Sequence, residues 1–221
     1  MKSRIHTLAI VAALSVFFGA SAIADPILNF DQVVDSGTVA HVAGGVVTGT
    51  GIGFETVTIS GAPMNNGLWV CTACVLNFTS GALVTEGSPD NGDNWAWGAG
   101  GSFTVTGAIL GLGINAPVTL LSGQFAGPDT IAFNFGSQLQ ITGFGIDEKH
   151  PDLLAAMGTN NPDFIFADNS ISVGATIEAD GSFSGNVTNA DLTNTAVPIP
   201  GTSLLMLLGL GGVALARRKA K

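Results

Sequence analysis

Few side chains in this sequence can do chemistry, and most of them sit in short clusters. Cys71 and Cys74 form C-T-A-C. On an extended strand, cysteines three residues apart hold their Cα atoms roughly 10 Å from each other, too far for a disulfide. Pairing therefore requires a turn at Thr72-Ala73. Outside the cytoplasm a disulfide is the expected state, with free thiols as the alternative. A redox motif would need a neighbouring βαβ unit, and a zinc site would need a second Cys or His pair. Asp90, Asn91, Asp93 and Asn94 crowd into S-P-D-N-G-D-N-W. Hard oxygen ligands at Asp90, Asp93 and Asn94 suit Ca²⁺, although the spacing is not that of an EF-hand. A solvated turn is the competing reading. Trp95 and Trp97 alternate, so both indoles fall on one face of a strand. An exposed pair would be a stacking platform for sugar rings, and a buried pair would be core. Asp147, Glu148, Lys149, His150 and Asp152 are the densest charged cluster. His150 beside a carboxylate has the makings of a general base, but no nucleophile elbow or metalloprotease motif accompanies it. A solvated loop entering a short helix accounts for the cluster better. His41 lies in a valine- and glycine-rich strand. Threonine pairs at 48–50, 56–58 and 104–106 suggest a flat array for ice, yet strands favour threonine anyway.

Charge narrows the function classes further. All sixteen acids lie between Asp25 and Asp191, and the segment 25–196 keeps one base, Lys149, for a formal charge of −15. Such a surface repels phosphate backbones, which excludes ordinary nucleic-acid binding. It also argues against nucleotide chemistry, which usually needs Lys or Arg beside the phosphates.

The remaining bases stand at the two ends. Lys2 and Arg4 precede an apolar run from Leu8 to Phe18 and then G-A-S-A-I-A. This is the order of a secretory signal peptide. Ala22 and Ala24 occupy the −3 and −1 positions, so cleavage is expected after Ala24. At the other end, Val197 to Ala216 is free of charge and is followed by R-R-K-A-K. The tail contains V-P-I-P (Val197, Pro198, Ile199, Pro200), then a short Gly/Leu-rich span, then Arg217, Arg218, Lys219 and Lys221. By the positive-inside rule the basic cluster stays cytoplasmic. This three-part tail resembles the PEP-CTERM sorting signal, a tail type also labelled an ice-binding protein C-terminal domain. The resemblance covers about the last 25 residues. It implies export in a Gram-negative bacterium, the export machinery and an exosortase-like processing enzyme as partners, and an extracellular polysaccharide setting. The usual motif is V-P-E-P, and here Ile199 replaces the glutamate.

Between the ends, the segment 25–196 is long enough for one core, and no linker divides it. F-E-T-V-T-I-S (54–60) places Val57 and Ile59 on one face and Thr56 and Thr58 on the other. G-S-F-T-V-T-G (101–107) does the same with Phe103 and Val105. Further strands are expected at 27–34, 38–48, 68–71, 74–79, 82–86, 94–98, 118–125, 130–135, 138–146, 164–167, 170–178 and 182–188. Asp180-Gly181 signals a hairpin. A [Ser/Thr]-Gly pair recurs at Ser80, Thr106, Ser122, Thr142 and Ser184 without a fixed period, which excludes a solenoid. One helix is expected at 151–157, with Pro151 in its first turn and Gly158 at its stop.

The expected protein is all-β: a single glycine-rich antiparallel β-sandwich, jelly-roll-like, with that one short helix. Its parts are a signal peptide (1–24), a domain (25–196) and a sorting tail (197–221). The tail comprises the motif (197–200), a transmembrane helix over about 201–216 and the basic cluster (217–221). The expected role is structural or adhesive and not enzymatic, at the cell surface or in a polysaccharide matrix. The alternative is a carbohydrate- or calcium-binding module using Trp95/Trp97 or the 90–94 loop, and an ice-binding protein comes third. No cofactor is expected beyond that Ca²⁺.

Overall fold

The computed structural model describes residues 26–87, 94–126, 130–135, 138–159 and 164–196. Among these the chain is mostly strand. In order they are β1 (Ile27–Asp31), β2 (Thr38–His41), β3 (Val47–Ser60), β4 (Gly67–Thr79), β5 (Leu83–Thr85) and β6 (Asn94–Trp97). There follow β7 (Gly100–Ile109), β8 (Ile114–Phe125), β9 (Thr130–Phe135) and β10 (Gln138–Lys149). The helix α1 (Pro151–Met157) precedes β11 (Phe164–Ile177) and β12 (Phe183–Ala196).

All the strands belong to one antiparallel sheet, and its pairings close on themselves. From β12 the circuit runs through β2, β3, β4, β7, β8, β10 and β11 back to β12. Two short strands share the slot between β3 and β12. β2 fills one end (Ser184↔Ala40, Ala40↔Thr48) and β1 the other (Ile27↔Thr195, Ile27↔Ser60). A branch of β9, β6 and β5 leaves the circuit where β9 takes over from β8 along the same edge of β10. Closing a sheet removes the unpaired edges that invite aggregation.

The core lies within this circuit. Val57, Ile59, Phe103 and Val105 are buried, while Thr56, Thr58, Thr104 and Thr106 stand on the outer face. Along β12 the inward positions are Phe183 and Val187, then Ala190, Leu192 and Asn194. The switch from odd to even follows a bulge, where Ser172↔Asn189 gives way to Val173↔Val187. Without that extra residue, Phe183 and Asn194 would face opposite sides.

The elements differ from the sequence expectation in several places, and the expected strands 164–167 and 170–178 are one, β11. The segment 38–48 is two strands, because Val42–Val46 turns, with Gly44 at φ +75° and Gly45 N–H donating to Val42 O (2.8 Å). The segments 68–71 and 74–79 are one strand, β4, with an irregularity at the cysteines. β12 continues to Ala196: Asn189, Asp191, Thr193 and Thr195 point outward, alternating with Ala190, Leu192 and Asn194. β10 continues to Lys149, so Asp147 and Lys149 lie in a strand and are not a solvated loop. The loop reading holds only from His150 on.

Helix α1 forms where expected. His150 caps it, its Nδ1 accepting from Asp152 N–H (3.2 Å), and Gly158 ends it at φ +72°. Leu153 and Met157 are buried against the sheet. At the hairpin joining β11 to β12, Gly181 adopts φ +88°, and its N–H donates to Glu178 O (3.0 Å).

Candidate functional site

Two buried polar clusters stand at opposite ends of β12. Phe183 and Asn194 are eleven residues apart, roughly 35 Å of extended strand.

The first cluster surrounds Phe183. Its ring packs against His41 (5.3 Å between centroids), Trp95 (5.3 Å) and Trp97 (6.4 Å). Both tryptophans are fully buried. The sugar-platform reading of Trp95 and Trp97 is therefore corrected: period two does put them on one face, but that face is the inside. Their indole N–H groups are consumed as well. Trp97 donates to Gly45 O (3.0 Å), and Trp95 donates to Gly181 O (3.0 Å) and Glu86 Oε1 (3.1 Å). Glu86 also accepts from Gly44 N–H (2.6 Å) and meets His41 Nε2 at 2.7 Å. Burial pushes the Glu86 carboxyl up. The donors from Gly44, His41 and Trp95 outweigh that and hold it below its ordinary range. His41 Nδ1 faces Val46 O at 3.3 Å. The imidazole is enclosed, and Glu86 is about one-third exposed (32%).

The second cluster is closed to solvent. Lys149 Nζ donates to both oxygens of Asp147 (3.0 and 2.9 Å) and to Asn194 Oδ1 (2.7 Å). The side chains of Asp147 and Lys149 have no exposure, and Asn194 has none either. Desolvation raises the Asp147 carboxyl above its ordinary range, although Lys149 opposes the shift. Desolvation also lowers Lys149 to about 8, opposed by Asp147. The amide nitrogen of Asn194 has no hydrogen-bond partner among the described residues. The two strands that hold this cluster do not pair. β10 and β12 flank β11, and the lysine arm reaches from one to the other inside the sheet.

Cys71 and Cys74 are joined as a disulfide with Cα atoms 5.6 Å apart. Ala73 makes the turn at φ +51°, a conformation rare for a residue with a Cβ. Gly107 packs directly under the bridge, where a Cβ would collide with Cys74 Sγ. This close approach explains one of the recurring Thr-Gly pairs.

The other sequence-derived sites divide by position. Asp90 and Asp93 lie outside the described residues, and Asn94 is exposed at the start of β6. Ala22, Ala24, Val197, Pro198, Pro200, Arg217, Arg218 and Lys219 also lie outside them. Among the described residues no group of three metal-ligating side chains gathers, and no helix is long and apolar enough to cross a membrane. His150 serves as a helix cap. A groove of about 530 Å³ between β7, β8 and β10 is lined by Ser102, Ser122, Gln124 and Glu148 among others, with no histidine or cysteine. Thr48, Thr79 and Ser102 stand in register on β3, β4 and β7 along a second shallow groove.

Sequence reasoning missed the Asp147–Lys149–Asn194 cluster. The usable signal was parity: Leu139 and Ile141 face inward, and the same alternation carries to Asp147 and Lys149. No family model, curated protein or solved structure matches this chain.

Proposed function

We propose that this is an exported, non-enzymatic protein of the cell surface or of an extracellular polysaccharide matrix, with a structural or adhesive role. Its circuit of strands is flattened into a jelly-roll-like sandwich. Two layers are supported by β6, whose indoles meet β2 and β12, strands with which it does not pair. The observation that carries the functional reading is the adjacency of the ends. Ile27 lies opposite Thr195, so the described domain begins and ends on neighbouring strands. Ends on neighbouring strands suit a chain delivered through one membrane and held at it. The Cys71–Cys74 bridge supports an oxidising compartment. The carbohydrate-module reading loses its platform with the burial of Trp95 and Trp97.

Translocation would hold Lys2 and Arg4 inside and carry the acidic domain across. Val197–Ala216 would then stop in the membrane, because Arg217, Arg218, Lys219 and Lys221 are costly to move. Pro198 and Pro200 disfavour helix just before the span, leaving the motif extended for a processing enzyme. Intact-mass measurement of protein recovered from its native host tests this. Two cuts are expected, one after Ala24 and one near Val197–Pro200. A mature form that retains Arg217 to Lys221 refutes sorting by an exosortase-like enzyme.

A further inference from the structure

The cluster at the tail-proximal end of β12 presents an amine, a carboxyl and a carboxamide within reach of one another, enclosed by the sheet. We propose that Lys149 and Asn194 become joined by a side-chain amide (isopeptide) bond, formed by the folded chain itself with Asp147 carrying the protons.

The geometry is that of a reaction about to occur. Lys149 Nζ is 2.7 Å from Asn194 Oδ1, and the carbonyl carbon Cγ lies one bond of about 1.2 Å beyond that oxygen. Reacting groups held at such separations gain the large effective concentrations of intramolecular reactions. Asp147 touches Nζ with both oxygens. The Asn194 nitrogen, which must leave, is held by no hydrogen bond among the described residues. Enclosure favours the uncharged forms of both partners, an amine that can attack and a carboxyl that can give a proton. Between residues 25 and 196 no other lysine competes. As a mere ion pair, two buried charges add little net stability.

The step balances without any other reactant. A proton passes from Nζ to Asp147, leaving a neutral amine and a neutral carboxyl. The Nζ lone pair attacks Cγ of Asn194 while Asp147 protonates Oδ1. The second Nζ proton then passes through Asp147 to Nδ2, the Cγ–Nδ2 bond breaks as the Oδ1 proton returns to Asp147 and the carbonyl re-forms, and ammonia departs. The C–N bond formed replaces the C–N bond broken, and nothing is oxidised or reduced.

The full chain, expressed, denatured and reduced, provides the test. Its intact mass is expected to fall short of the sequence mass by about 17 Da, the mass of ammonia. Trypsin gives an independent readout, because Lys149 is the only cleavage site between residues 25 and 196. Acylated on Nζ, Lys149 is not cut, and that whole span survives digestion in one piece. The Asp147→Ala variant keeps both reacting side chains. It is expected to show full mass and cleavage after Lys149. An unchanged wild-type mass overturns the proposal. So does a 17 Da loss with Lys149 still cleaved, since cyclisation at Asn66-Gly67 or Asn91-Gly92 loses ammonia too. If Asp147→Ala does not fold, fragmentation of the wild type after acid-specific proteolysis decides. A branched peptide containing Lys149 and Asn194 supports the bond, and two separate linear peptides overturn it. The outcome is independent of export, so failure here leaves the sorting proposal standing.

Discussion

The two ends of β12 solve the same problem differently. Near Phe183, a carboxylate is satisfied by three protein donors and keeps about a third of its surface in water. Near Asn194, a carboxylate is shut away completely with a lysine. A charge with access to solvent can lose a partner and be rehydrated. An enclosed one cannot, so each member there depends on the others being present. The lesson concerns function as well as stability: a lysine excluded from water is a reactive group as much as a cation.

The largest test of that contrast is the loss of one carboxylate from each end. Asp147→Ala leaves a buried ammonium uncompensated and is expected to cost about 3–5 kcal/mol. Glu86→Ala opens its donors to water and is expected to cost about 1–3 kcal/mol. Urea unfolding of both variants measures the gap, and equal costs would break the comparison.

The disulfide gives the next effect. Replacing Cys71 and Cys74 together by alanine releases a loop of only four residues. The chain-entropy estimate is about 2 kcal/mol, read as a lower midpoint in the same titration. Gly107→Ala is expected to cost about 1–3 kcal/mol by overpacking against Cys74. In the double cysteine variant that cost should shrink.

The smallest effects are in pH dependence, and their signs oppose. Glu86 is held below its ordinary value of 4.5. Its contribution is complete above that value and is lost as pH falls through the lower folded-state value. Melting curves should therefore decline on acidification, less steeply in Glu86→Gln. Asp31 faces Asp191 across β1 and β12. Burial first, then the hydrogen bond and charge of Asp191, raise it above 3.8. The folded state binds that proton more tightly, so a penalty appears as pH rises through the raised value. Asp31→Asn should melt higher than wild type at pH 7, and the advantage should vanish on acidification.

Much of the fold was legible because outer-face threonines and inner-face Val, Ile and Phe alternate so regularly on β3 and β7. Helix α1 was legible from Pro151 and Gly158. The ends of β10 and β12 were not, because charged or amide side chains occupy inward positions there, and polarity normally marks a solvent face. Trp95 and Trp97 were correctly placed together, but a period-two pattern does not say which face is covered. That depends on β6 reaching His41 and Phe183, contacts between residues distant in sequence.

The meeting of β1 with β12 also sets how the molecule bears load. A pull that separates the two chain ends would open Ile27 from Thr195 first and break hydrogen bonds one after another, like a zip. A pull directed along β12 acts differently. Every hydrogen bond from β12 to β11, β1 and β2 lies across that direction, so all are strained together in shear. The same strand is weak in one direction and strong in the other.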